Sequence, residues 1–175
     1  PSASERRGTT VTPMPEQEAP GLHLTRTDEN VSEIAALADL LGGPVGLDAV
    51  LDDLNRRARR SWGWFGRAVQ RAYTWDAEDR RTTDWWPQGI TTSADAADTE
   101  EIGGRRVLAM TWYAKEVAGV HQGSRVTFLD LDTLRYRHVL LVVPRLRDGA
   151  LELAPLRVHA GGVVWRGPYL HVAAT

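Results

Sequence analysis

The 175-residue chain has no cysteine, a single lysine, two phenylalanines and two methionines. Without cysteine it has no disulfide bridge, no thiolate catalysis and no cysteine-ligated zinc. It also has no apolar run long enough to span a membrane. The net charge of −2 gives no reason to expect nucleic acid or a lipid surface. We therefore predict a water-soluble globular protein that binds neither nucleic acid nor membranes.

The common catalytic signatures are missing as well. The sequence has no Gly-x-Ser-x-Gly nucleophile elbow, no Gly-Lys-Ser/Thr phosphate loop and no His-Glu-x-x-His zinc helix. The chain is instead rich in arginine and tryptophan. Lys115 is the only lysine among the 21 basic residues, and there are seven Trp. The sequence indicates an architecture more clearly than an activity.

The first part of the chain is predicted to be helical after a polar start. Residues 1–20 have few apolar side chains, so burial cannot offset the entropy lost on ordering, and we predict a flexible arm. Apolar residues then recur at helical spacing in a stretch that ends at Gly42-Gly43, in a second over 47–58 and in a third over 62–73. These patterns predict a helical cap over 21–75.

The second part of the chain has the pattern of antiparallel strands. From Trp85 onward the apolar period changes from that of a helix to that of a strand. β-branched and aromatic runs with Gly-containing turns between them predict strands over 107–113, 125–131, 137–143 and 162–165. The predicted fold class is therefore α+β, with a helical N-terminal segment followed by β structure over 76–175.

A weak internal repeat runs through the β part. The segment that starts at Gln88 and leads into the strand near 107–112 can be laid over the segment that starts at Ala160 and leads into 168–173. Two more strands lie between the two copies. Four strands followed by a restart are typical of a β-propeller, in which each blade is a four-stranded sheet.

The runs VTFLDLDT, YRHVLLV and HAGGVVWRGPYLHVAAT resemble the blade pattern of propeller proteins exported by actinobacteria. The resemblance covers about residues 84–175 and implies an exported, processed chain. One and a half blades, roughly, cannot close a propeller, so we expect a second polypeptide to complete the sheets of a processed heterodimer. The alternative is a small self-contained β-sandwich or barrel with a helical cap.

The resemblance also implies a ligand site on the propeller face, where loops enter the innermost strands and join the second strand to the third. Applied to this chain, the resemblance places on this face a set of polar and aromatic residues that can bind a ligand. These are Asp84, Trp85, Trp86, Gln88, Lys115, Glu116, His121, Gln122, Arg157 and His159.

Three functions stay open for this set. In a binding module, Trp85 and Trp86 stack on a small molecule or glycan, and Gln88 and Arg157 orient it. In a metal-dependent lyase or hydrolase, a divalent metal ion held partly by the imidazole of His159 polarises a substrate oxygen.

The enzyme hypothesis also assigns proton transfer to His121 or Glu116. The third function is an interaction subunit with no site of its own. A purely structural role is the alternative for each histidine: His159 and His121 as hydrogen-bond partners of turns, and His138 and His171 packed within strands.

Overall fold

The computed structural model describes residues 27, 29–62 and 66–174. The predicted arm over 1–20 and His23 lie outside these residues. The described part of the chain is α+β and mostly β, with four helices and twelve strands. None of these helices has the length and apolar character needed to cross a membrane.

The helices are short, and most of the long strands follow them. The helices span Val31–Leu40 (α1), Leu47–Asp52 (α2), Ala77–Arg81 (α3) and Ser93–Ala96 (α4). The strands span Arg56–Arg57 (β1), Arg59–Arg60 (β2), Tyr73–Thr74 (β3), Trp85–Thr92 (β4), Val107–Ala114 (β5), Glu116–Val117 (β6), Val120–His121 (β7), Ser124–Asp130 (β8), Arg135–Arg147 (β9), Ala150–Pro155 (β10), Gly162–Arg166 (β11) and Tyr169–Ala173 (β12).

One antiparallel sheet organises the fold. Its strand order is β1-β9-β8-β5-β4, and β10 pairs with the far half of β9. The predicted strands over 107–113 and 125–131 are confirmed as β5 and β8, and the meander β4-β5-β8-β9 is the predicted run of four strands. The restart is the separate hairpin β11–β12, and no complete propeller is present in the described residues.

The two faces of this sheet bury different groups. The first face packs against α2 and β11 in an apolar core of Leu51, Leu54, Val107, Ala109, Val126 and Trp165. The second face has a smaller core of Ala58, Leu129 and Tyr136, with Trp75 packed beside it. Because strand side chains alternate, neighbours such as Thr111 and Trp112 belong to opposite faces.

The predicted helix over 62–73 is wrong in the described part of that stretch. β2 and β3 pair instead as a hairpin, with Arg59 opposite Thr74 and Arg60 opposite Tyr73. Gly66 has a φ of 85°, which is outside the right-handed helical region. Trp62 is 90% exposed, so the apolar spacing did not mark a face that packs on a core.

The second predicted helix ends at Asp52 and not at Ala58. Arg56 and Arg57 leave the helix and form β1, opposite Tyr136 and Arg135 of β9. Strand pairing and the ion pairs of Arg56 with carboxylates of the α3 region outweigh the helix propensity of these residues, although arginine is a good helix former. Within the described residues, the predicted cap over 21–75 is helical only in α1 and α2.

Candidate functional site

Two of the predicted site residues belong to an aromatic row at one end of the first face. Trp86 of β4 lies directly opposite Tyr113 of β5, so both side chains leave the sheet on the same side. The Tyr113 and His159 rings are 4.3 Å apart between centroids, with 34° between their planes. The indole of Trp86 is 44% exposed. The aromatic row of Trp86, Tyr113 and His159 therefore presents flat rings to solvent.

A concavity beside the aromatic row includes the predicted Gln88. It has a volume of about 510 Å³ and is lined by Gln88, His159, Gly161, Gly162, Ala173 and Ala174. The pairing of β4 with β5 changes register between Pro87 and Ile90, and such an irregularity re-aims a side chain. The polar side chains of the concavity are therefore one carboxamide and one imidazole, which can both donate and accept hydrogen bonds.

Lys115 extends the aromatic row on its other side. Its Nζ lies 4.1 Å from the centroid of the Trp86 ring. The backbone N–H of Lys115 donates a 2.7 Å hydrogen bond to the carbonyl of Asp84, which continues the β4–β5 ladder by one residue. The ammonium group thus rests on the electron-rich face of the indole.

A close approach of β11 to β4 holds His159 in place. A Cβ added to Gly89 would lie 2.8 Å from the backbone nitrogen of Val163, so the two strands can meet only at a glycine. The buried hydroxyl of Thr111 accepts from the Gly89 N–H at 2.9 Å and donates to the Ala160 carbonyl at 2.8 Å. His159, the residue before Ala160, is thereby fixed beside Tyr113.

Two other predicted ligand-binding residues are not in the aromatic row. Trp85 alternates with Trp86 and lies on the second face, where the guanidinium carbon of Arg125 is 4.3 Å from its ring centroid. Arg157 is exposed two residues before His159, and it makes no ion pair within the described residues. Their predicted roles stay predictions.

The two predicted proton-transfer residues lie in the small hairpin β6–β7. Glu116 and His121 are opposite each other in its register, and Nδ1 of His121 accepts a 3.1 Å hydrogen bond from the Gly123 N–H. No hydrogen bond or ion pair in the described part of the chain joins either residue to His159. No group of three or more His, Asp or Glu placed to hold a metal occurs there. The catalytic and metal-binding roles also stay predictions.

A buried polar network occupies the second face. At its centre is the carboxylate of Asp79 in α3, which is only 5% exposed. Its Oδ2 accepts hydrogen bonds from the Tyr136 hydroxyl at 2.5 Å, from Nε2 of His138 at 2.9 Å and from Arg56 at 3.3 Å. The Asp79 network therefore joins α3 to β1 and β9.

The partners of His138 assign its tautomer. Nε1 of Trp112 can only donate, and it donates to Oγ1 of Thr127 over 2.6 Å. The Asp79 carboxylate can only accept, so Nε2 of His138 carries the ring proton, and in the neutral ring Nδ1 accepts from the Thr127 hydroxyl over 2.6 Å. Thr127 is fully buried, so this Thr-His-Asp chain is structural and offers no nucleophile to a substrate.

Arg125 adds a second cation to the Asp79 network. Its guanidinium carbon lies 4.3 Å from the Trp85 ring and 5.0 Å from the Trp112 ring, and one nitrogen is 3.5 Å from Oδ1 of Asp79. Its Nε is buried with no hydrogen-bond partner among the described residues. The two indoles and the carboxylate offset part of the cost of burying this charge.

The network fixes the protonation of its members. Burial by itself would raise the pKa of Asp79, but the hydrogen bonds from His138 and Tyr136 and the charge of Arg56 lower it well below 3.8. Burial lowers the pKa of His138 below 6.5, and the charge of Arg125 adds to this. Burial raises the pKa of Tyr136, as does its hydrogen bond to Asp79. At pH 7 the network holds an ionised Asp79 and a neutral His138.

An apolar cleft opens beside the Asp79 network. It has a volume of about 220 Å³ and is lined by Ala58, Tyr73, Thr74, Trp75, Ile90, Leu108, Met110 and Leu129. The Trp75 ring also meets the rings of Tyr136 and Trp112, at centroid distances of 5.0 and 5.3 Å. No charged side chain lines the cleft, so it offers no compensation for burying a charged ligand.

Tyr113 and Asp79 were not among the residues predicted to form a site. Strand alternation was the available signal for Tyr113, but its position opposite Trp86 depends on a register that no local pattern gives. Asp79 is one of three acids in the run Asp-Ala-Glu-Asp, and nothing in the local sequence indicates which of the three is buried. The prediction that His138 packs within a strand is confirmed, because both of its ring nitrogens have partners in the core.

Comparisons with protein-family models, with curated proteins and with solved structures find no match to this chain.

Proposed function

We propose that this chain is a binding module that holds a small molecule or glycan against the aromatic row. One observation carries the proposal. The half-exposed indole of Trp86, the Tyr113–His159 ring pair and the concavity lined by Gln88 adjoin one another at one end of the first face. Flat rings beside a few polar groups are the usual composition of a ligand site.

The chemistry of these groups suits a sugar ring. The apolar C–H face of a pyranose packs on an indole, and its hydroxyls need both donors and acceptors around the rim. The Gln88 Nε2 donates one hydrogen bond to the Pro87 carbonyl at 3.0 Å, which leaves its second N–H and its oxygen for a ligand, and the His159 ring adds its nitrogens to the rim. The Tyr113 ring packs against the His159 ring, so the imidazole has less conformational freedom to lose when a ligand binds.

Replacing Trp86 by alanine is expected to weaken saccharide binding by at least about tenfold, because the ligand loses its stacking surface. Binding is measured by NMR titration with a panel of gluco-, manno-, galacto-, chito- and glucurono-configured oligosaccharides. Trp62→Ala is the matched control, since Trp62 is an exposed indole outside the aromatic row. A panel in which nothing binds contradicts the proposal, as does a Trp86→Ala variant that binds as tightly as wild type.

We propose in second place that another polypeptide completes the sheet assembly as part of an exported, propeller-like complex. β9 pairs with β8 only as far as Leu141, and beyond it β9 and β10 form a two-stranded arm. One face of this arm is entirely apolar and continues that of Leu140; it comprises Val142, Pro144, Leu146, Leu151, Leu153 and Pro155. Leu140, Leu146 and Leu153 are about half exposed, which favours a partner on this face.

A native mass spectrum of the protein purified from its natural source is expected to show a stable complex with a second polypeptide. Leu153→Asp is expected to dissociate this complex, because it places a charge on the apolar face of the arm. Ala150→Asp, on the opposite face of the same hairpin, is the control. A monodisperse monomer of 175 residues would contradict the proposal.

A further inference from the structure

We infer that the ligand of the aromatic row is an acidic saccharide whose carboxylate pairs with Lys115. This inference rests on the proposed binding function and adds to it the charge of the ligand. It starts from the environment of the ammonium group of Lys115, the only lysine of the chain.

The ammonium of Lys115 has no carboxylate partner in the described part of the chain. Asp84 is its neighbour across the β4–β5 ladder and Glu116 is its neighbour along the chain, yet neither forms an ion pair with it. Nζ lies over the Trp86 ring at 4.1 Å. An aromatic face attracts the charge but does not satisfy three N–H donors, so these donors are available to an anion on a ligand.

The remaining groups around the site favour an anion over a cation. The residues that line the concavity include no acid, and their polar side chains are those of Gln88 and His159. Arg157 is exposed two residues before His159. The acids nearest to this site, Asp84 and Glu116, adjoin Lys115 and do not line the concavity, so no negative charge within the concavity repels a carboxylate there.

The spacing of the site suits a carboxylate carried on a sugar ring. Lys115 follows Tyr113 by two residues, which is roughly 6.5 Å along an extended chain. The ammonium is therefore at one end of the aromatic row and His159 at the other, with Trp86 between them. A pyranose that displaces the Lys115 ammonium from the Trp86 ring can stack on the indole and pair its equatorial carboxylate with that ammonium, while its hydroxyls face Gln88 and His159.

The test compares methyl β-glucuronide with methyl β-glucoside, which share a ring and differ in the carboxylate. The wild-type protein is expected to bind the glucuronide about tenfold more tightly, and this preference should decrease at high salt. Lys115→Met should reduce the affinity ratio from about ten to about one, and Lys115→Arg should keep it. Arg145→Met, which removes a positive charge from the β9–β10 arm, should also keep the ratio at about ten.

Each other outcome overturns the inference in a recognisable way. Equal affinities for the two sugars, or a ratio that Lys115→Met leaves at ten, would show that Lys115 does not recognise the carboxylate. The proposed binding function would then still stand, provided that Trp86→Ala weakens the binding of both sugars. If neither sugar nor any member of the oligosaccharide panel binds, the inference and the proposed function both fail.

Discussion

Asp79→Asn is expected to lower the free energy of unfolding by about 3–5 kcal/mol. The carboxylate is almost fully buried and accepts hydrogen bonds from Tyr136 and His138 while facing Arg56 and Arg125. An amide of the same shape carries no charge and turns an acceptor into a donor, so the cations lose their counter-charge inside the protein. Urea denaturation followed by tryptophan fluorescence measures the effect.

The matched control for this prediction is Asp52→Asn. Asp52 pairs with Arg105 at 2.6 Å, but its side chain is 69% exposed. An exposed pair contributes at most about 1 kcal/mol, so this variant should differ little from wild type. If Asp79→Asn costs no more than Asp52→Asn, the Asp79 network does not stabilise the fold as described.

Acidification is expected to destabilise the protein in two steps. The pKa of His138 is lower in the folded state than 6.5, so below about pH 6.5 the unfolded chain takes up a proton that the folded chain does not, and stability falls. The pKa of Asp79 is lowered from 3.8, so its contribution is lost as the pH falls below about 3.8. Each unit of pKa difference corresponds to about 1.4 kcal/mol.

Urea denaturation at intervals between pH 7.5 and pH 2.5 measures both steps. His138→Gln should remove the first step, because no group at this position then titrates near neutral pH. Asp79→Asn should reduce the second step without abolishing it, because the pKa values of Asp76, Asp95 and Asp132 are lowered as well. Stability that is constant or increases from pH 7.5 to pH 5 would contradict the assignment of a neutral, buried His138.

The Asp79 network and the aromatic row share the same two strands. Trp85 alternates with Trp86 along β4, and Trp112 alternates with Tyr113 along β5. Trp85 and Trp112 enclose the guanidinium of Arg125, and Trp112 is hydrogen-bonded to Thr127. These contacts on the second face fix the positions of β4 and β5, whose other face carries Trp86, and the proposed ligand site would need such fixed positions.

The β part of the fold could be predicted because its signals are local. Alternating β-branched residues mark strands, and Asp148-Gly149 closes the β9–β10 hairpin as a two-residue turn with φ values of 50° and 79°. The helix expected over 62–73 had periodic spacing too, but nothing local shows that Arg59 and Arg60 pair with strand residues beyond it. The pairing of β2 with β3 determined the structure of that segment.

The aromatic row could be predicted in part. The resemblance to propeller blades placed Trp86, Gln88 and His159 in one site. In the structure Gln88 and His159 line one concavity, and Tyr113 lies opposite Trp86 and against the His159 ring. Which of the two consecutive tryptophans lies in the aromatic row depends on strand register, so the sequence could not separate Trp86 from Trp85. Burial of Asp79 depends on contacts with β1, β8 and β9, which are distant in sequence.

The most direct test of a ligand site on the aromatic row follows the seven indole N–H signals of the protein during an NMR titration with methyl β-glucuronide. We expect the signal of Trp86 to shift progressively and to saturate, while the signals of Trp75 and Trp112, which pack on the second face, stay in place. Shifts confined to Trp75 and Trp112, or the absence of any shift at Trp86, would contradict a ligand site at this end of the sheet.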